Sequence, residues 1–361
     1  MRHHRRILPT LGFEHYAIIM GTGIVGTLLP TLSHALVPIA RVIVIANAIG
    51  LLVLATTTVA IFARRPERAR ALLDDRTRLM FAGCVPMAMS SVSNGVDKLE
   101  PHLFGSATPH VLTAWLGLTI VATLASVIGV PYRLFAHHLA SLEDLNATWL
   151  LPIVPAEVTA FQLSLVAMHL SRPVALDLVW GGYVLWAFSV PLALSLIALI
   201  TLRLLTHHLP EPHLATSTWL ILGPLGTGAA AIASLGHDLS VLAPSPTTTI
   251  LAGVGLLGAL VLAGYGLWWL VVASAISLEY GRRRTYPFTI GWWGFTFPLG
   301  VLTTAVGEIA IETKAAPAHD LAVGLTALLV ALWAVVAVRT AHSAIRDRRS
   351  LRSSSALAIA D

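Results

Sequence analysis

Charged residues are scarce in this chain: Asp, Glu, Lys and Arg make up 11% of its 361 residues, against 56% hydrophobic ones. A soluble domain carries about 25% charged residues, so there is too little charge here to cover a water-facing surface. Cysteine is scarcer still. Cys84 is the single one in the sequence, which excludes an internal disulfide and any cysteine cluster for zinc or iron–sulfur. Enzyme signatures are missing as well. There is no HExxH, no pair of acids at one depth, and no Ser or Cys that the repeat described below would bring to a base. Neither catalysis nor a metal or other cofactor is expected.

Long apolar runs take their place. Ten segments are long enough to cross a hydrocarbon core of ~30 Å, at 14–34, 37–62, 78–95, 109–130, 148–169, 175–202, 218–236, 248–274, 289–310 and 320–340. The expected fold class is an all-α membrane protein of ten transmembrane helices, with no interval long enough for a soluble domain. The chain then divides into an N-terminal segment at 1–13, a transmembrane domain at 14–340, and a tail at 341–361 expected to be disordered. The opening MRHHRR resembles the start of a signal peptide, but Glu14 and His15 interrupt its approach to the first apolar run. It is read as a retained lead into the first span.

The formal net charge of +5 hints at nucleic acid until the charges are placed on this topology. With both termini in the cytoplasm, the inside segments hold all but four of the 23 Lys and Arg residues, the exceptions being Arg41, Lys98, Arg172 and Lys314. Cytoplasmic loops are enriched in Lys and Arg. The basic excess is thus an orientation signal for a multi-pass protein of the cell's inner membrane, and no nucleic-acid partner is expected. The run at 64–78 reads as a solvated, partly helical inner loop able to touch anionic headgroups.

The odd-numbered spans share a pattern. An aromatic residue stands five positions before a proline at Phe81–Pro86, Trp219–Pro224 and Trp293–Pro298, and Tyr16 stands likewise before Gly21. Span 5 fits loosely, with Trp149 before Pro152 and Pro155. Two positions beyond the proline or glycine comes a small residue: Gly23, Ala88, Gly226 and Gly300. The steps from Pro152 to Pro224 and from there to Pro298 are 72 and 74 residues. This periodicity describes five helical hairpins around a central pore, with the odd spans inside as a ring of kinked helices. Their N-termini, all facing the cytoplasm, would each present about half a positive charge, which favours anions at that mouth. No Lys or Arg lies in the middle of an odd span, so weak, channel-like passage is expected rather than tight binding.

The stretches MGTGIVGTLLP (20–30), WLLPIVP (149–155), LGPLGTGA (222–229) and WWGFTFPLGV (292–301) resemble the tellurite-resistance/dicarboxylate transporter family. That family comprises yeast malate permeases, fungal sulfite efflux pumps, bacterial TehA proteins and plant guard-cell slow anion channels. The resemblance covers about 14 to 340 and is nearest the malate and sulfite branch. It implies transport of small anions (a C4-dicarboxylate such as malate, sulfite, or monovalent anions), a homotrimer, and a phenylalanine on the ninth span that plugs the pore. Phe297 matches that position, although Phe288, Trp292 and Phe295 crowd the same segment and leave a core-aromatic role open. The residues expected to line or kink the pore are Gly21, Thr22, Gly23, Pro86, Pro152, Pro155, Pro224, Gly226, Pro298 and Gly300.

Glu157 departs from the pattern. A carboxylate near an anion path repels the substrate unless it is protonated or paired. Facing the pore it would be a proton site, coupling dicarboxylate or sulfite export to pH; facing a neighbouring helix it would be structural. Both readings stand at this level. The 15 histidines read as interfacial polar residues, with a pH-sensing outer rim as the alternative. Ser90, Ser91, Ser93, Asn94, Thr303 and Thr304 either line a polar exit or bond between helices.

Overall fold

The computed structural model describes residues 12–137 and 141–360; the MRHHRR lead lies outside them. Apolar runs become helices because a bilayer offers no water to backbone polar groups, which must then pair within the segment. In chain order, α1 (Tyr16–Leu28) and α2 (Val37–Arg64) precede two short helices in the arginine-rich stretch, α3 (Pro66–Asp74) and α4 (Arg76–Met80). Next come α5 (Cys84–Leu99) and α6 (Thr108–Leu124), the latter joined to α7 (Val130–His137) through a π-helical turn at Ala125–Gly129. Then follow α8 (Pro155–Ala167), α9 (Arg172–Thr206), α10 (Leu222–Leu242), α11 (Pro246–Arg282), α12 (Phe297–Thr313) and α13 (Ala316–Ala360).

No strand occurs among the described residues. Eight helical stretches among them are long and apolar enough to cross a membrane, fewer than the ten expected. The two that fall short are α1 and α8, at 13 residues each, or about 20 Å of α-helix. Pro152 precedes the second of these and Pro155 begins it, and 3₁₀ turns flank the first.

The helices sort into two sets by burial. In the most apolar part of Pro212–Leu242, 94% of residues are buried inside the protein, against 28% in Pro246–Arg282. Helices α1, α5, α8, α10 and α12 each pack on the next, and α12 returns to α1. The other set, α2, α6, α9, α11 and α13, packs outside these and turns aliphatic faces outward, as at Val42, Val121, Ile250 and Val271. A surface this apolar suits lipid and not water.

Polar bonds tie the two sets together. Asn47 of α2, Trp115 of α6, Trp186 of α9 and Trp269 of α11 donate to the backbone carbonyls of Ile19, Met89, Gly228 and Thr218, at 2.8 to 3.0 Å. Trp333 of α13 donates to the hydroxyl of Thr22 at 3.3 Å. Each outer helix thus gives at least one side-chain N–H to the buried set, mostly to a carbonyl that has no water to turn to.

The stretch 64–78 is helical in two pieces. Asp75 caps the second by accepting from the amides of Thr77 and Arg78, and Arg133 reaches Asp74 at 2.8 Å. The tail also differs from the expected disorder: the backbone of α13 continues to Ala360. No Gly or Pro stands between Gly324 and that end to break it.

Candidate functional site

All five buried helices begin in the same way. A 3₁₀ segment precedes each one: Phe13–His15, Phe81–Gly83, Ala147–Leu150, Pro212–Ile221 and Ile290–Phe295. The prolines follow where the helix turns α. Pro86, Pro155, Pro224 and Pro298 all stand in the first turn of α5, α8, α10 and α12, and Pro152 stands in the turn before α8. A first-turn proline lacks an N–H that no carbonyl of that helix would have accepted. The expected mid-helix kinks are therefore changes from 3₁₀ to α geometry at helix starts.

The small residues pack helices together rather than clearing an axis. A Cβ on Gly226 would lie 2.4 Å from the amide nitrogen of Leu302, and one on Gly300 would lie 2.5 Å from Ile24. Gly21 abuts Thr296 and Trp293, and Gly23 abuts Ser91 and Asn47. Thr22 meets Trp333. None of the ten residues expected to line or kink a pore is among those lining the cavity described next.

That cavity has a volume of about 340 Å³ and touches all five buried helices. Its apolar wall includes Ile24, Val158, Phe161 and Val301; its polar wall includes Thr27, Ser91, Asn94, Thr227 and Thr304. Phe297, the first residue of α12, belongs to the wall and is 3% exposed. Along the same helix Glu308 also lines it, 11 residues on, or about 16 Å at the α-helical rise. Phe297 thus stands at one end of the cavity. At the other end Lys98 and Asp97 join Glu308. Lys98, Thr304 and Glu308 also line an adjoining opening of about 460 Å³ that reaches Lys314 and His319.

The crowd of aromatics around Phe297 resolves into a separate cluster. Phe295 stacks edge-on against Trp219 at 4.9 Å and Trp292 at 5.6 Å, and Trp292 also meets Tyr286, Phe288 and the guanidinium of Arg339. Burial of its hydroxyl, with the phenol of Tyr280 nearby, pushes the Tyr286 phenol up to about 12, against a hydrogen bond from Ser277 that lowers it, so it stays neutral there. These rings anchor the start of α12, while Phe297 faces the cavity.

Glu157 is fully buried and is not part of the cavity wall. Its carboxyl takes the Ser189 hydroxyl of α9 at 2.7 Å and the Thr227 hydroxyl of α10 at 2.6 Å. Of the two sequence readings, the geometry matches the one that faces neighbouring helices. Of the serines and threonines, Ser91, Asn94 and Thr304 reach the cavity, whereas Ser90 bonds Gln162 at 2.8 Å and Thr303 bonds the Leu299 carbonyl.

Sequence reasoning passed over Lys98 and Glu308. Lys98 was counted with the outer loops because it falls past the apolar run, yet α5 continues to Leu99 and carries it into the cavity. The available signal for Glu308 was a carboxylate inside a span, which is costly and marks function by default. Histidines near this end are tied to acids: His169 meets Asp97 at 2.6 Å and His237 meets Glu312 at 2.7 Å. Among the described residues no group of three or more His, Cys, Asp and Glu is placed to hold a metal.

The cavity between the five buried helices is edged with hydroxyls, the Asn94 amide, Lys98 and the carboxylates of Asp97 and Glu308. The comparison with known proteins gives its family. A family model described as voltage-dependent anion channel (SLAC1) matches residues 10–341. The chain belongs to this family. Among its relatives, the sulfite efflux pump SSU1 of Arthroderma otae is 31% identical over 338 residues, 91% of this chain and 89% of its own length. The SSU1 of Trichophyton rubrum is 30% identical over the same shares. An uncharacterised transporter of Methanocaldococcus jannaschii is 28% identical over 59% of each chain. The voltage-dependent anion channel family consists of membrane-embedded transporters and channels, in line with the apolar outer helices described above.

Proposed function

We propose that the chain passes small anions, sulfite foremost, across the plasma membrane through the cavity between its buried helices, with Phe297 as the gate. The observation that carries this reading is the placement of Phe297 at one end of a hydroxyl-edged cavity that all five buried helices share. Sulfite comes first because the relatives matched over nine-tenths of the chain are sulfite efflux pumps. In this reading α1 and α8 complete ten crossings as five hairpins, with the odd spans inside. Both termini and the arginine-rich end lie in the cytoplasm, in keeping with the Lys and Arg distribution. The assembly implied by the family resemblance is a homotrimer.

Reconstitution tests the reading directly. Purified protein in liposomes is expected to carry sulfite, nitrate and chloride, with malate as a further arm. Absence of flux for every anion would sink it.

Glu157 takes a structural part in this scheme, joining α8 to α9 and α10 through two hydroxyls. Glu157→Gln keeps both contacts as an amide, so transport and its pH dependence should match wild type. Glu157→Leu removes both inter-helix bonds while Ser189 and Thr227 keep the carbonyls of Ile153 and Gly223, with an expected loss of about 0.5–1.5 kcal/mol per hydrogen bond, read as a lowered melting temperature in detergent. A pH profile displaced by Glu157→Gln would return the residue to proton coupling.

A further inference from the structure

We propose that Lys98 and Glu308 form a charge filter at the wide end of the cavity, admitting singly charged anions and turning doubly charged ones back. The inference rests on the reading of the cavity as an anion path and concerns which anions that path accepts.

Both side chains line both openings, the inner one and the adjoining one, so anything passing between them passes this pair. They come from different helices, α5 and α12, and each charge acts on the other. Apart from Asp97, which stands next to Lys98, the rest of the polar wall is neutral: hydroxyls of Thr27, Ser91, Thr227 and Thr304, and the amide of Asn94. These can hydrogen-bond an anion but cannot balance its charge. Lys98 is the one Lys or Arg on the inner wall.

The surrounding charges weigh on the negative side. Asp97, beside Lys98 on α5, pairs with His169, and on α12 itself Glu312 pairs with His237 of α10; each histidine offsets its acid only when protonated. Asp238 of α10 accepts a hydrogen bond from Ser164 of α8 and adds to the negative side felt by Glu308. Lys314 and His319 stand farther out, on the adjoining opening alone.

The selectivity follows from how each energy scales. The cost of taking an ion out of water grows with the square of its charge, whereas its attraction to a fixed cation grows only linearly. Lys98 opposed by a carboxylate gives little net attraction, so a dianion loses four times the hydration of a monoanion with almost nothing to offset it. Sulfite would then pass as hydrogensulfite, and nitrate and chloride would pass without protonation.

The test is a flux ratio, nitrate against sulfate, in liposomes holding the full chain. Wild type is expected to favour nitrate strongly, and its sulfite flux should fall as pH rises while nitrate flux holds. Glu308→Gln removes one of the carboxylates that oppose Lys98, leaving Asp97, and should raise sulfate relative to nitrate by about tenfold, the effect of one unit charge acting at several ångströms. Lys98→Gln should lower the ratio of sulfate to nitrate further, with Lys98→Arg restoring it. A folding defect lowers both fluxes together and leaves the ratio alone, so the ratio isolates charge. If Glu308→Gln is too unstable to reconstitute, the Lys98 pair decides the matter in the same assay. Equal nitrate and sulfate flux in wild type, or an unchanged ratio in the variants that carry anions, overturns the filter. Wild-type protein that moves no anion overturns instead the transport reading beneath it.

Discussion

Phe297→Ala is expected to raise anion current by one to two orders of magnitude in planar bilayers or oocytes. The side chain is 3% exposed and stands at the end of the cavity; in the proposed reading an ion passes only after the ring leaves its packed position. Unburying a phenylalanine costs about 1.5–3 kcal/mol, and each 1.36 kcal/mol removed from a barrier is about tenfold in rate. Alanine removes the ring and with it that cost. Phe295→Ala, two residues earlier, supplies the contrast. Its ring contacts Trp219, Tyr286 and Trp292, so its loss should loosen the start of α12 and lower stability by about 3–5 kcal/mol without opening the path. Should Phe297→Ala fold normally and conduct no more than wild type, Phe297 is not the gate.

Gly226→Ala should be a strongly damaging single methyl in the buried set. The added carbon would sit 2.4 Å from the Leu302 amide nitrogen and 2.7 Å from the Val301 carbonyl carbon. Both are backbone atoms, so α10 and α12 have to separate. Overpacking of this kind costs about 1–3 kcal/mol, and here it also shifts α12, which carries both Phe297 and Glu308. Reduced melting temperature and reduced sulfite flux are expected together. The control is Gly253→Ala on α11, where a Cβ meets nothing within 4 Å; stability there should hold or rise by up to ~1 kcal/mol. Equal behaviour of the two variants would show that the α10–α12 contact yields more easily than its geometry implies.

Much of this architecture can be read from the sequence, because proline and glycine act locally. Pro86, Pro155, Pro224 and Pro298 each fix φ and remove a donor, so their spacing marks a break in each buried segment; that the break is a helix start and not a kink shows only in the fold, where Pro191 by contrast stands inside α9. What they cannot reveal is the partner across the contact. Gly226 looks like a gap on its own helix and becomes a contact only when Leu302 is set against it. Phe295 and Phe297 illustrate the same limit. Two positions apart on a helix lie roughly on opposite sides of it, yet the string of letters does not say which side is the cavity. Glu157 likewise needs Ser189 and Thr227, from two later helices, before its direction is known. Lys98 was hidden for another reason: hydropathy ends a span at its first charge, while hydrogen bonding carries α5 one residue past it.

The 3₁₀ segments give the bundle a profile. Every residue lining the cavity comes from the α-helical part of its chain segment, and none from the 3₁₀ part. A 3₁₀ helix has three residues per turn and rises about 2.0 Å per residue, so it is thinner and longer than an α-helix of equal length. Five such stems side by side can converge more tightly than the five wider helices they lead into. Phe297 is the first α-helical residue of its segment, so in the proposed reading its ring closes the cavity where the narrower 3₁₀ stem gives way to the wider α-helix.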